Sequence, residues 1–183
     1  MPRPPPGLRS TFTTFRPTST RSSTDYRKHG RSSVSLNELY REVILDHYRA
    51  PRHHEHLDEP DGTAEGNNPL CGDEVTIEVK MDGNTVTGIA AIGVGCSISQ
   101  ASASMMSEAV NGKDRRQIDE LVRRFKILMA IEESDEEVVD PDRPGAALGD
   151  LEALQGVRKF PVRIKCADLP WITLQQALEE ATG

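Results

Sequence analysis

Three cysteines, Cys71, Cys96 and Cys166, are the residues of this chain best equipped for chemistry. Each stands in an unusual setting. Cys71 lies in Asn68-Pro69-Leu70-Cys71-Gly72-Asp73, Cys96 follows Gly93-Val94-Gly95, and Cys166 follows Phe160-Pro161-Val162-Arg163-Ile164-Lys165. The Cys71-x-Asp73 step lets one loop offer a thiolate and a carboxylate together, and Gly72 gives the backbone the freedom to do so. Three thiolates and one carboxylate would close a tetrahedral zinc site; soft sulfur favours zinc or iron–sulfur chemistry over magnesium or calcium. Spacing alone leaves a second reading open. Cysteine is among the most buried residue types, so three unrelated core thiols are a frequent outcome.

The elements that must position these side chains are written in the apolar pattern. Ser35 followed three residues later by Glu38 is a capping box, and Leu36, Leu39, Tyr40, Val43, Ile44 and Tyr48 recur at helical spacing until Pro51. The acidic, Gly/Asn-rich stretch from Pro60 to Pro69 reads as loop. Val75, Ile77, Val79 and Met81 then alternate with Thr76, Glu78 and Lys80, as a half-buried strand does. Asp82-Gly83-Asn84 turns the chain, and Thr85 to Gly95 returns as one or two further strands. Residues 97–110 form a helix of small side chains suited to tight packing, with Gly112 at its end. Ile118 to Met129 marks another helix, a short one near Asp150–Gln155 stops at Gly156, and a last one runs from about Trp171 to Ala181. All three cysteines fall at element ends, where distant segments converge at one edge of a sheet. The expected fold is α+β, a small antiparallel β-sheet packed on a helical layer.

Composition narrows the function classes. A length of 183 residues allows one ordinary domain and a tail. A net charge of -7 speaks against nucleic acid as a partner. No apolar stretch is long enough to span a membrane, and an odd number of widely spaced cysteines excludes a secreted disulfide scaffold. A reducing compartment follows. The charge is divided: residues 1–33 hold six Arg and one Lys against Asp25, while residues 34–183 hold 15 basic and 28 acidic side chains. Residues 1–33 therefore read as a disordered, basic Pro/Ser/Arg-rich leader, and 34–183 as the folded domain. Such a leader also suits an organellar transit peptide, but Pro2, Pro4, Pro5 and Pro6 spoil an amphipathic helix. A cytoplasmic location is the first expectation and an organellar one the alternative.

Several segments, taken in order, resemble the U-type iron–sulfur assembly family, represented by the NifU amino-terminal domain, IscU and SufU. They are Leu39-Tyr40 with Asp46-His47-Tyr48-Arg49-Ala50-Pro51-Arg52, then Asn67 to Asp73, Gly95 to Ser104, and Arg158 to Cys166. The resemblance implies a SufE/NifU-like fold. Two departures set the branch. The scaffold branch has a ligating histidine immediately before its third cysteine, whereas this chain has Lys165 and no histidine after His56. The step from Cys96 to Cys166 is also longer than the scaffold pattern and carries an acidic insertion. Both features resemble SufU, which carries zinc and accepts sulfur from a cysteine desulfurase. On that resemblance Cys71, Asp73, Cys96 and Cys166 are the zinc ligands, Cys71 is the sulfur acceptor, and Arg163 is a desulfurase-contacting position. The implied partners are a SufS-type desulfurase and a downstream iron–sulfur scaffold. Whether the relay counts as an enzyme, a sulfurtransferase, is left open. The alternative is a scaffold that builds a [2Fe-2S] cluster at the same site.

Zinc held by three thiolates and a carboxylate leaves a negative centre, which Lys165 would offset in part if its ammonium pointed inward. The remaining candidates have plainer readings. His53, His54 and His56 cluster in the polar loop after Pro51 and read as solvated; His47 reads as a packed or capping residue. The acidic run Glu132–Asp142 reads as a solvated loop, and Trp171 as core.

Overall fold

The computed structural model describes residues 35–140 and 142–183, so the leader expected over residues 1–33 lies outside the described residues. Ser35 caps helix α1 (Leu36–Arg49) as its capping box requires: its Oγ accepts from the Glu38 amide at 3.2 Å, and its own amide donates to the Glu38 carboxylate at 2.9 Å. Tyr40, Val43 and Ile44 pack on the core, while Leu36, Leu39 and Tyr48 at the rim of that face stay exposed.

Three antiparallel strands follow, β1 (Gly62–Asn68), β2 (Asp73–Asp82) and β3 (Thr85–Val94), in the order β1-β2-β3. The expected loop over residues 60–69 is thus largely a strand. Its glycines, which suggested a loop, are what let helix α4 (Pro161–Glu180) lie directly on it. A Cβ at Gly62 would collide with the Ala177 carbonyl, and one at Gly66 with the Thr173 hydroxyl. On β2, Val75, Ile77 and Val79 are buried as the alternation predicts, but so is Glu78 on the other face. The segment after Pro51 covers it: Glu78 accepts from the Leu57 amide at 2.8 Å and pairs with the His56 ring at 2.7 Å.

Helix α2 (Ser97–Val110) runs through the middle of the molecule, against α1, β3 and α4. Its small residues Ala101, Ser102, Ala103 and Ser104 are all buried, which permits close approach on several sides. Ser102 Oγ donates to the Ala167 carbonyl of α4 and accepts from Trp171 Nε1, so this serine inside the core is paired. Helix α3 (Arg115–Leu128), capped by Asp114 with Gln117, contributes Phe125, which stacks on Trp171 at 4.3 Å between ring centroids.

The C-terminal third departs from expectation in two places. The short helix does not stop at Gly156 but continues as a 3₁₀ helix from Gly149 to Lys159. The last helix starts at Pro161, ten residues before the expected Trp171, and carries Pro170 inside it. Proline at the first turn is favourable, whereas an interior proline forfeits a backbone bond. Burial of Cys166, Ala167, Leu169, Trp171 and Leu174 offsets that loss, so packing overrides the local breaker. Cys166 therefore sits inside a helix, one turn in, and not at its start.

Glu152 organises the long insertion. It is fully buried, and its carboxylate accepts from the backbone amides of Gly145, Ala147 and Leu148 at 2.5, 3.1 and 3.1 Å. Glu152→Ala leaves these donors unpaired and is expected to cost about 3 kcal/mol in a urea unfolding curve, with Glu152→Gln costing less. Among the described residues no helix is long and apolar enough to cross a membrane.

Candidate metal centre

The sheet register brings two of the cysteines to one end. Asn68 pairs with Asp73 across the β1–β2 turn that carries Cys71, and Glu74 pairs with Val94, two residues before Cys96. Helix α4 delivers Cys166 to the same end. Cys166 Sγ lies 3.0 Å from Cys71 Sγ. One ligating atom each of Cys71, Asp73 and Cys166 lies within 4.8 Å of the others. Cys96 joins through Asp73, its amide donating to Oδ1 at 2.7 Å and its Sγ lying 3.6 Å from Oδ2. Three of the four side chains singled out by the sequence thus form one cluster, and Cys96 stands beside it against Asp73.

Their surroundings differ. Asp73 is fully buried and Cys166 nearly so, while Cys71 and Cys96 are exposed. Cys96 is also the N-cap of α2, its Sγ accepting from the Ser99 amide at 3.5 Å, so it is held by both helix and carboxylate. Cys71 sits in a turn, where its amide donates to the Asn68 carbonyl at 3.1 Å, and its side chain meets only the Cys166 thiol. Gly72 beside it adopts φ 68° and faces open space, a conformation glycine takes without strain. Burial, then the neighbouring Cys71 thiol and Asp73, pushes the Cys166 thiol well above its ordinary range. Without a cation in the centre, Cys166 is a thiol and not a thiolate at neutral pH.

Two further residues shape the centre. Asn68, buried, points Nδ2 at Cys166 Sγ from 3.8 Å and accepts the Leu70 amide on Oδ1 at 3.2 Å, tying the Cys71 turn to α4. Gly95 leaves room for the carboxylate, because a Cβ there would stand 2.6 Å from Asp73 Oδ1. Nothing in their types alone announced these duties; their places beside the Cys71 and Cys96 segments were the available signal. Gly95→Ala is expected to push Asp73 aside and weaken metal binding about tenfold in competition with a chromophoric chelator, while β3 stays folded. Arg163 is exposed, its guanidinium 5.1 Å from the centre of the Phe160 ring, and Lys165 is exposed at the surface. The loop histidines separate: His54 meets the Ala91 carbonyl and His56 meets Glu78, so they do not converge.

Three sulfurs and one carboxylate, with a glycine making room for the carboxylate, are a donor set suited to zinc and unsuited to hard, oxygen-seeking cations. A cysteine-rich centre at the end of a three-stranded antiparallel sheet, under a layer of helices, defines the class of protein. Residues 39–178 match the NifU-like N terminal domain family, and the chain belongs to it.

Relatives span almost the whole described region. The chain is 42% identical over 151 residues to the zinc-dependent sulfurtransferase SufU of Bacillus subtilis (strain 168), covering 82% of this chain and 97% of that one. It is 39% identical over 148 residues to the iron–sulfur cluster assembly scaffold protein IscU of Streptococcus pyogenes serotype M1, covering 81% and 87%. Among solved structures, the SUF-system protein FiSufU of Fervidobacterium islandicum AW-1 superposes with a TM-score of 0.66 at 32% identity, covering 79% of this chain and 99% of that one. A NifU-like N-terminal protein from Brucella abortus, 22% identical, shares the fold with a TM-score of 0.67, covering 80% and 96%.

Proposed function

We propose that this chain is a zinc-bound sulfur acceptor in iron–sulfur cluster assembly, loaded by a cysteine desulfurase of the SufS type and unloaded to a downstream scaffold. The observation that carries the reading is the convergence of Cys71, Asp73, Cys96 and Cys166, with Cys71 alone on a turn free to move. These four residues would hold the ion. Bound there, zinc supplies thiolate character at neutral pH and shields the sulfurs from oxidation. The 42% identity to a zinc-dependent sulfurtransferase supports the choice of metal and of reaction.

The transfer step belongs to Cys71. Its thiolate attacks the outer sulfur of the donor's cysteine persulfide, forming a new S–S bond as the donor's S–S bond breaks. The donor cysteine leaves as thiolate, and Cys71 becomes the persulfide; no electron is gained or lost overall. Asp73 stays behind, with its Oδ1 fixed by the Cys96 amide, and keeps the vacated centre negative. Arg163 and Lys165 on the exposed face beside Cys166 supply positive charge for contact with the donor protein. A cytoplasmic setting keeps the thiols reduced.

A second reading is a scaffold that assembles a [2Fe-2S] cluster on the same residues, favoured by the identity to IscU. Anaerobic purification with metal analysis and an absorption spectrum separates the two. The carrier is colourless with about one zinc per chain, whereas a brown protein holding iron and sulfide supports the scaffold.

A further inference from the structure

Away from the cysteines, a second set of metal-ligating side chains meets where α1, α2 and the 3₁₀ helix pack: His47, Glu108 and Asp150. His47 is the one fully buried residue of α1, and a buried imidazole needs a partner on each nitrogen. Its Nδ1 lies 2.8 Å from the buried Ser104 Oγ, which also accepts the Arg52 amide at 2.8 Å. That anchor fixes the ring and aims Nε2 at two carboxylates, Asp150 Oδ2 at 3.1 Å and Glu108 Oε2 at 3.8 Å.

One imidazole nitrogen offers at most one proton, so it cannot bond both carboxylates at once. Arg52 gives little further relief. Its Nη2 is taken by Asp46 at 2.6 Å and its Nη1 by the Ala50 carbonyl at 2.8 Å, leaving Nε 3.8 Å from Glu108. Lys113, Arg116 and Arg124 line the adjoining cleft, but among the described residues Glu108 and Asp150 pair only with His47 and Arg52. The two separations from His47 Nε2 already suit a coordination sphere, and the two carboxylates lie within 4.8 Å of each other. Donors about 2.1 Å from an octahedral ion stand about 3 Å apart when adjacent and about 4 Å apart when opposite. Separations of 3.1 and 3.8 Å lie within that span.

Access is open as well. Glu108 and Asp150 stand on the wall of a cleft of about 940 Å³ between α2, α3 and the start of the 3₁₀ helix, with Met105, Leu121 and Leu151 in its lining. Water from that cleft can complete the sphere of a cation held at its edge. We propose that His47 Nε2, Glu108 and Asp150 bind one divalent first-row cation, with Ser104 as the hydrogen-bonded support of the imidazole. One imidazole, two carboxylates and water suit manganese(II), ferrous iron, cobalt(II) or zinc, and have none of the sulfur that marks the cysteine centre. Zinc suits both centres, whereas manganese(II) suits only the one without sulfur.

Manganese(II) is the probe, because it avoids thiolates and leaves the cysteine centre alone. The full chain as purified is titrated with it, free ion being read from the continuous-wave EPR signal and histidine ligation from ¹⁴N coupling in pulsed EPR. One tightly held manganese per chain with imidazole ¹⁴N coupling is expected. Glu108→Gln with Asp150→Asn should weaken it about 100-fold or more, since both carboxylates are ligands and both are surface side chains whose loss spares the fold. Glu132→Gln with Glu136→Gln in the acidic insertion should leave it unchanged. Absence of ¹⁴N coupling, or an affinity unmoved by the Glu108 and Asp150 changes, would show the cluster to be only a hydrogen-bonded clasp between helices and would overturn the proposal.

Discussion

Replacing Cys71 by serine is expected to abolish sulfur acceptance from a desulfurase while the fold and part of the metal binding remain. Intrinsic thiolate character does not choose among three sulfurs that serve one ion; freedom of movement does. Cys96 begins α2, caps it and is bonded to Asp73, so its displacement would fray a helix that lies in the middle of the core. Cys166 is buried one turn into α4, between Lys165 and the core residue Ala167. Cys71 alone sits in an exposed turn beside a glycine already at φ 68° with open space around it. Motion there breaks little packing, so it falls at the low-stability end of the molecule. The serine variant should melt within a few degrees of the parent chain and yet take up no sulfur. Uptake at the parent rate would place the acceptor elsewhere.

Removal of the metal should destabilise the chain strongly. The centre ties the β1–β2 turn, the end of β3 with the start of α2, and the second turn of α4, segments up to 95 residues apart in sequence. A ligand held only by the folded state adds RT ln(1+[L]/Kd), about 4 kcal/mol at a thousandfold excess over Kd. For a domain of this size that corresponds to a fall of about 10 °C in Tm. Metal-free, the chain also keeps a buried Cys166 thiol facing Cys71 and Asp73 with no cation to satisfy them. Thermal melts before and after chelation, with loss of the metal verified by elemental analysis, measure the difference. Superimposed curves would mean that the centre contributes nothing to folding.

Much of the site was legible because its residues announce themselves by chemistry. Cys71, Cys96 and Asp73 fall at the ends of elements whose periodicity is plain, Cys166 lies one turn inside α4, and Ser35 with Glu38 marks the helix start as written. The spacing left core thiols as an open alternative, and resemblance to a family resolved it. What pattern could not reach was decided by contacts across the fold. Gly62 and Gly66 look like loop until α4 is known to lie on them, and Pro170 looks like a boundary until Trp171 is seen stacked on Phe125. Glu78 and Glu152 are charged residues whose burial local pattern does not show, and His47, read as packed or capping, is packed as expected on partners the pattern does not name. Each is buried because groups outside its own element's repeat satisfy it: the loop at His56 and Leu57, the amides of 145–148, and Ser104 with Asp150. The partners of Glu78 and His47 lie 21 to 103 residues away, and those of Glu152 lie in irregular backbone four to seven residues before it, so local periodicity names neither set.

The most direct measurement loads the chain with sulfur from a cysteine desulfurase and its cysteine substrate, then locates the persulfide by mass spectrometry of the digested protein. The account predicts the added sulfur on Cys71, with Cys96 and Cys166 unmodified. Sulfur on Cys166 with Cys71 unmodified, or no persulfide on any cysteine under conditions where the desulfurase turns over, would contradict it.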